Sequence, residues 1–138
     1  MVPWLHWHTT APPADAEPVP QMSEWAHKEF IWHLFLRGAD GLMMWCRDVE
    51  TVKEVSMMNE VLSEALAYRE FLDDGEPIIF AIPGEPGTVV SGLRLGDRVL
   101  VRRTDFGDYD GPVTRRVGDA RIEIPACPGE CQIITIEQ

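Results

Sequence analysis

Nothing in this chain approaches the roughly 18 consecutive apolar residues that a membrane span requires. The opening stretch, Met1-Val2-Pro3-Trp4-Leu5-His6-Trp7-His8, also lacks the basic-then-apolar order of a secretory leader. No membrane partner is therefore expected, and the compartment stays unassigned. Basic side chains are scarce, 12 against 23 acidic ones, for a net charge of -11. Nucleic-acid affinity comes mainly from clustered Lys and Arg that release counterions, so nucleic acid is not an expected partner. Cysteine is sparse and odd in number: Cys46 stands alone, while Cys127 and Cys131 flank Pro128-Gly129-Glu130. One CxxxC pair without a second pair or a neighbouring His falls short of a zinc site. Small buried thiols or a cross-turn disulfide remain open, and no cofactor is expected.

The residues present are unevenly distributed. All five tryptophans and all four histidines lie within the first 45 positions. Residues 1–75 hold 13 acids and 5 bases, whereas residues 76–138 hold 10 acids and 7 bases, every one an arginine. The change falls near Asp73-Asp74-Gly75 and divides the chain into 1–75 and 76–138. With 138 residues, 45% of them apolar, one modest core or two small ones can form.

The spacing in the first part predicts strand, helix, strand, helix. Val2 to Thr10 reads as a short strand running into a Pro-rich loop that begins Ala11-Pro12-Pro13 and ends at Pro20. Ser23 is a good N-cap for a helix over 24–37, and Gly38 stands where a left-handed C-cap glycine belongs. The second half of that helix is apolar nearly all round, as in a helix covered on several sides. Leu42-Met43-Met44-Trp45-Cys46 is a continuous apolar run of the kind found in parallel strands buried on both faces. Asp48 or Thr51 then caps a long helix to about Leu72, with a possible Thr51-x-x-Glu54 capping box and an apolar face of Val52, Val55, Met58, Leu62, Ala65 and Leu66. This is a βαβα unit with two parallel strands. Its strand edges need further strands and its faces need helices, so the unit looks unfinished.

From Pro77 onward, turn chemistry separates six strands at 78–82, 88–95, 99–104, 112–117, 120–124 and 132–137. The alternation in Ala120-Arg121-Ile122-Glu123-Ile124 predicts one inward face, and together the strands predict a small antiparallel β-sandwich. The fold class is thus α/β plus all-β.

Trp7-His8-Thr9, then a helix, then Leu36-Arg37-Gly38-Ala39-Asp40-Gly41-Leu42-Met43-Met44-Trp45 resembles the final strands of (β/α)₈, or TIM-barrel, glycoside hydrolases. In those, Gly-Ala-Asp/Lys-Gly before an apolar run and Trp commonly forms the eighth strand. The resemblance implies that 1–75 corresponds to the last two βα repeats and that the sandwich corresponds to an appended β-domain. It further implies a substrate side at the carboxyl ends of the strands. His8, Thr9 and Thr10 would stand after the penultimate strand and Trp45, Arg47 and Asp48 after the last, with His6 a further candidate substrate contact. Trp45 would be a sugar platform, its indole face packed on a pyranose ring. The paired carboxylates of these enzymes have no counterpart, since Trp7-His8-Thr9-Thr10 offers no Glu and Asp40 lies at the opposite end of its strand.

Other polar residues have plainer expectations. His6 and His8, two apart on a strand, share a side and could share a metal, but a third ligand is not evident. His27 and His33 are expected to be hydrogen-bonded structural residues, Trp25 and Trp32 a packing stripe, and Met57-Met58 core filler. Arg102-Arg103 and Arg115-Arg116 are expected as solvated strand residues paired with Asp or Glu across the sheet, and Asp105, Asp108 and Asp110, which lack the order and final Glu of an EF-hand calcium loop, in an acidic turn. The functional expectation is a carbohydrate-active segment that supplies substrate-site walls without a catalytic pair. It is short of the roughly 250 residues of a barrel and is completed by the remainder of a barrel or by a homo-oligomer. The alternative is a non-enzymatic carbohydrate- or protein-binding β-sandwich module with a helical assembly region.

Overall fold

The computed structural model describes residues 1–8, 19–44 and 51–137. Strand β1 (Trp4–Leu5) and strand β2 (Met43–Met44) pair in parallel, Trp4 opposite Met43 and Leu5 opposite Met44, with helix α1 (Glu24–Leu36) between them. Helix α2 (Thr51–Ala65) follows, so the βαβα order and the parallel pairing hold. Strand β1 ends at Leu5, earlier than expected, and the expected continuation of β2 through Trp45 and Cys46 lies outside the described residues. The Trp7 N–H donates to Glu54 Oε1 and the Trp7 carbonyl accepts from Gln21 N–H, which takes the backbone out of the ladder beyond Leu5.

Helix α1 ends where its caps place it. The Ser23 hydroxyl accepts from Ala26 N–H at 3.1 Å, and after Leu36 the Gly38 and Ala39 N–H groups turn back to the Phe35 and Leu34 carbonyls. Gly38 has φ +90°, and a Cβ there would lie 2.9 Å from Pro77 Cγ. Gly38→Ala is therefore expected to cost about 1–2 kcal/mol, read as a lower urea midpoint at unchanged slope.

The long second helix is broken. After α2 come a single 3₁₀ turn (Leu66–Tyr68) and α3 (Arg69–Asp74), and the redirected chain puts Phe71 in the core. The buried face of α2 also differs from expectation: Glu54, Met57, Met58, Val61 and Ala65 point inward, whereas Val52, Val55, Leu62 and Leu66 are exposed. Hydrophobic spacing alone merges two stripes, because α2 carries apolar residues on both sides.

Six strands are present, β3 (Glu76–Ile78), β4 (Thr88–Leu95), β5 (Arg98–Asp105), β6 (Val113–Val117), β7 (Ala120–Ile124) and β8 (Cys131–Thr135); five match the expected ones, whereas β3 shares only Ile78 with the strand expected at 78–82. Four of them form an antiparallel sheet in the order β3-β4-β5-β8, and β6-β7 is a separate hairpin. On one face of the sheet, Val90, Val99 and Val101 pack against Val117, Ile122 and Ile124 of the hairpin. On the other face, Leu93 and Leu100 join Leu5, Ile31, Leu36, Val61 and Phe71. This corrects the simple sandwich with one inward face. The sheet is a middle layer, and its second face is closed by residues from before position 75, because β4 and β5 are apolar on both sides.

Candidate functional site

The chain leaving β1 toward its carboxyl end meets the first turns of α1 and α2, and there a polar cluster is buried. Trp7, His8, His27 and Glu54 are all buried, His27 completely. Glu54 Oε1 accepts the Trp7 N–H at 3.1 Å and lies 3.5 Å from His8 Nδ1. The Trp7 indole N–H donates to the Met22 carbonyl at 2.7 Å, fixing a ring that touches His8 edge-on at 4.7 Å between centroids and lies 6.1 Å from His27. Gln21 holds the His8 carbonyl through its side-chain amide at 2.7 Å. Lys53 Nζ sits 5.2 Å from the Trp7 ring centre.

Two groups in this cluster are unusual. Among the described residues, neither ring nitrogen of His27 nor Glu54 Oε2 has a hydrogen-bond partner. The hydrogen bonds expected of His27 are therefore not made among the described residues. Burial pushes its pKa down, with Glu54 pulling the other way and His8 adding to the decrease. A neutral His27 can give one hydrogen bond and accept one, and Glu54 Oε2 can accept. Buried polar atoms without partners are rare and costly, so among the described residues this is where polar capacity is left unused.

Of the residues expected at the site, His8 is in the cluster and His6, half-buried, lies just past the end of β1. Trp45, Arg47 and Asp48, like Thr9, Thr10 and Cys46, lie outside the described residues. Among the described residues, no group of three His, Cys, Asp or Glu side chains could hold a metal ion. Glu54 is a site residue that the spacing alone does not single out. Its signal is a carboxylate on the same helical face as Met57, Met58 and Val61, which is where a buried charge has to have a purpose.

A second buried network joins α1 to the sheet. Arg102 Nε and Nη2 donate to both Glu29 oxygens at 2.9 and 2.6 Å, and the Arg102 guanidinium lies 4.4 Å from the Trp32 ring centre. The Thr104 hydroxyl donates to Glu29 Oε2 at 2.7 Å, so its oxygen accepts from His33 Nε2 at 2.7 Å. His33 Nδ1 then accepts from the Ser91 hydroxyl at 2.8 Å, and Ser91 Oγ accepts from Arg37 Nε at 2.8 Å. The order of donors assigns His33 the neutral Nε2–H tautomer. Ser91 beside His33 has the spacing of a nucleophile and base, but its oxygen already accepts from Arg37 and His33 is tied to Thr104, so every polar atom of the pair is used within the fold and the pair is structural.

The expectation of solvated Arg102 and Arg103 is thus overturned. Both are buried, Arg103 binding the Ile124 carbonyl at 2.8 Å and Asp105 at 3.0 Å, because β5 has a layer on each face. Asp105 is held by Arg103 and the Thr88 hydroxyl. Cys127 and Cys131 are free thiols, with Cys131 Sγ accepting from Arg102 and Cys127 Sγ beside Glu130. No helix among the described residues is long and apolar enough to cross a membrane. Comparison with known proteins finds no matching family model, no matching curated protein and no matching solved structure.

Proposed function

We propose that this chain is the closing segment of a carbohydrate-active β/α protein, lining a sugar site at the carboxyl ends of β1 and β2 without carrying a catalytic carboxylate pair. The observation that carries the proposal is that both His27 ring nitrogens and Glu54 Oε2 have no hydrogen-bond partner among the described residues, at that end of the parallel strands. A sugar hydroxyl both donates and accepts, which suits a neutral imidazole beside a carboxylate. Trp45, one position beyond β2, would supply the apolar platform, with His6, His8, Arg47 and Asp48 around it. Glycoside cleavage needs two carboxylates about 5 to 10 Å apart, and Glu54 is committed to the Trp7 N–H and His8.

The alternative of an autonomous β-module loses support from Arg102. Its carboxylate partner, Glu29, belongs to α1, so the sheet lifted out alone would carry a buried arginine without its counter-charge. The test is calorimetric titration of the full chain with a panel of oligosaccharides. Binding that falls at least about tenfold in both Trp45→Ala and Glu54→Gln supports the proposal, as expected for loss of a stacking face or a charged hydrogen bond. Binding indifferent to both, or aryl-glycoside turnover that depends on a carboxylate of this chain, rejects it.

A further inference from the structure

The buried cluster around Trp7 holds more free acceptors than a single hydroxyl can meet. Glu54 is 1% exposed and His27 0%, and both stand against Trp7, Glu54 on its backbone N–H at 3.1 Å and His27 at 6.1 Å between ring centres. Neither Glu54 Oε2 nor either ring nitrogen of His27 has a hydrogen-bond partner among the described residues. Burial lowers the His27 pKa and so favours the neutral imidazole, which carries one N–H and one lone-pair nitrogen. The pair therefore presents two acceptors, a carboxylate oxygen and an imidazole nitrogen, against one donor. A hydroxyl has one proton and serves only one of those acceptors. Leaving a buried acceptor unserved is costly, so the count discriminates between ligand groups.

Charge points the same way. Among the described residues, no Lys or Arg is paired with Glu54, whose contacts are the Trp7 N–H and His8 Nδ1, the latter a cation only when protonated. Lys53, although 5.2 Å from the Trp7 ring centre, is committed to Glu24 at the surface. A carboxylate buried this deeply gains from a positive group brought to its free oxygen. The net charge of -11 adds to that preference by drawing cations toward the chain and repelling acids.

We infer that Glu54 and His27 together receive an amino group, so that on the carbohydrate reading, on which this inference rests, the ligand is an amino sugar. A neutral amine has two N–H bonds and a lone pair, and an ammonium has three N–H bonds. In both forms it serves Glu54 Oε2 and the imidazole nitrogen at once. The neutral form also accepts the His27 N–H, and the ammonium form supplies the counter-charge that Glu54 lacks. The same count rejects the common alternatives. N-acetylation leaves the nitrogen a single N–H and adds bulk, and an ionised uronic acid brings no donor and a second negative charge.

Calorimetric titration of the full chain compares a glucose oligomer, its counterparts with an amino group at the second or the sixth carbon, and the N-acetylated form. Salt at about 0.3 M screens the general attraction of amines to an acidic chain. One amino form should bind at least about tenfold tighter than both the glucose and the N-acetyl oligomers. Its binding should shift the ring-nitrogen resonances of His27. Glu54→Gln should remove most of the preference, because its amide oxygen stays on the Trp7 N–H and its NH₂ turns a donor toward the ligand. Should that variant fail to fold, the ligand series and the His27 resonances of the native chain decide alone. A glucose oligomer bound as tightly as the amino forms, as when water serves the second acceptor, overturns the inference and leaves the carbohydrate reading standing. So does an amine preference that survives in folded Glu54→Gln or leaves His27 unshifted. Binding of none of the four oligomers also overturns it, and the carbohydrate reading falls with it only if the wider oligosaccharide panel fails too.

Discussion

Replacing Glu29 by alanine is expected to destabilise the protein by about 3–5 kcal/mol. Most of that cost comes from the arginine left without a counter-charge, and less from the missing hydrogen bonds themselves. Glu29 is 5% exposed and Arg102 is 3% exposed, and water cannot replace the two hydrogen bonds the carboxylate gives up. Burial by itself raises the Glu29 pKa, but the Arg102 and Thr104 hydrogen bonds outweigh it and hold the group below the ordinary carboxylate range. The acid therefore stays ionised at neutral pH and the pair stays charged. Removing both charges should be far milder: Glu29→Leu with Arg102→Met keeps the volume, removes the unpaired ion, and should recover most of the loss. Urea denaturation of Glu29→Ala, of the double variant and of the native chain decides it. A Glu29→Ala cost under about 1 kcal/mol would mean the pair is solvated, against its burial between α1 and the sheet.

The same pair shows where the sequence is legible and where it is not. Local chemistry can be read directly. Ser23 and Gly38 bound α1 because capping depends on a hydroxyl and on a positive φ, both properties of single residues. Gly96 and Gly118 likewise mark the β4–β5 and β6–β7 turns with positive φ. Arg102 is misread from sequence because its environment is set by a residue 73 positions away on another element. Arg-Arg in an alternating strand has the same pattern whether the far side of the sheet meets water or a helix. The α2 face is misread for a related reason: a helix with an apolar stripe on each side has no unique inward direction until α1 is placed. Glu54 is hidden by its own plausibility, since a glutamate in a helix's first turn is expected as a cap. Here it reaches across to the backbone of Trp7 instead.

Acid should weaken the fold between about pH 6.5 and pH 4, through His33. Burial pushes this imidazole down from its usual 6.5 to about 4, the opposing pull of Glu29 being weaker and Arg37 and Arg102 adding to the decrease. The hydrogen bonds point the same way. His33 Nδ1 accepts from Ser91, whose oxygen accepts from Arg37, so a proton arriving at Nδ1 would face a donor already in place. The unfolded chain takes up that proton near pH 6.5 and the folded chain only near pH 4, so between these values the unfolded state binds more protons and stability rises with pH. The contribution is complete above pH 6.5 and is lost as pH falls to about 4. It amounts to about 3 kcal/mol at full extent, at 1.36 kcal/mol per pH unit. His27, also held low by burial, adds with the same sign, and Glu29 extends the loss to lower pH as its carboxylate is protonated. Urea midpoints at pH 7 and pH 4.5 should differ markedly for the native chain and much less for His33→Gln, which keeps hydrogen-bonding groups but cannot titrate. Parallel losses in the two proteins would place the acid sensitivity elsewhere and would mean that His33 titrates as a solvated imidazole does.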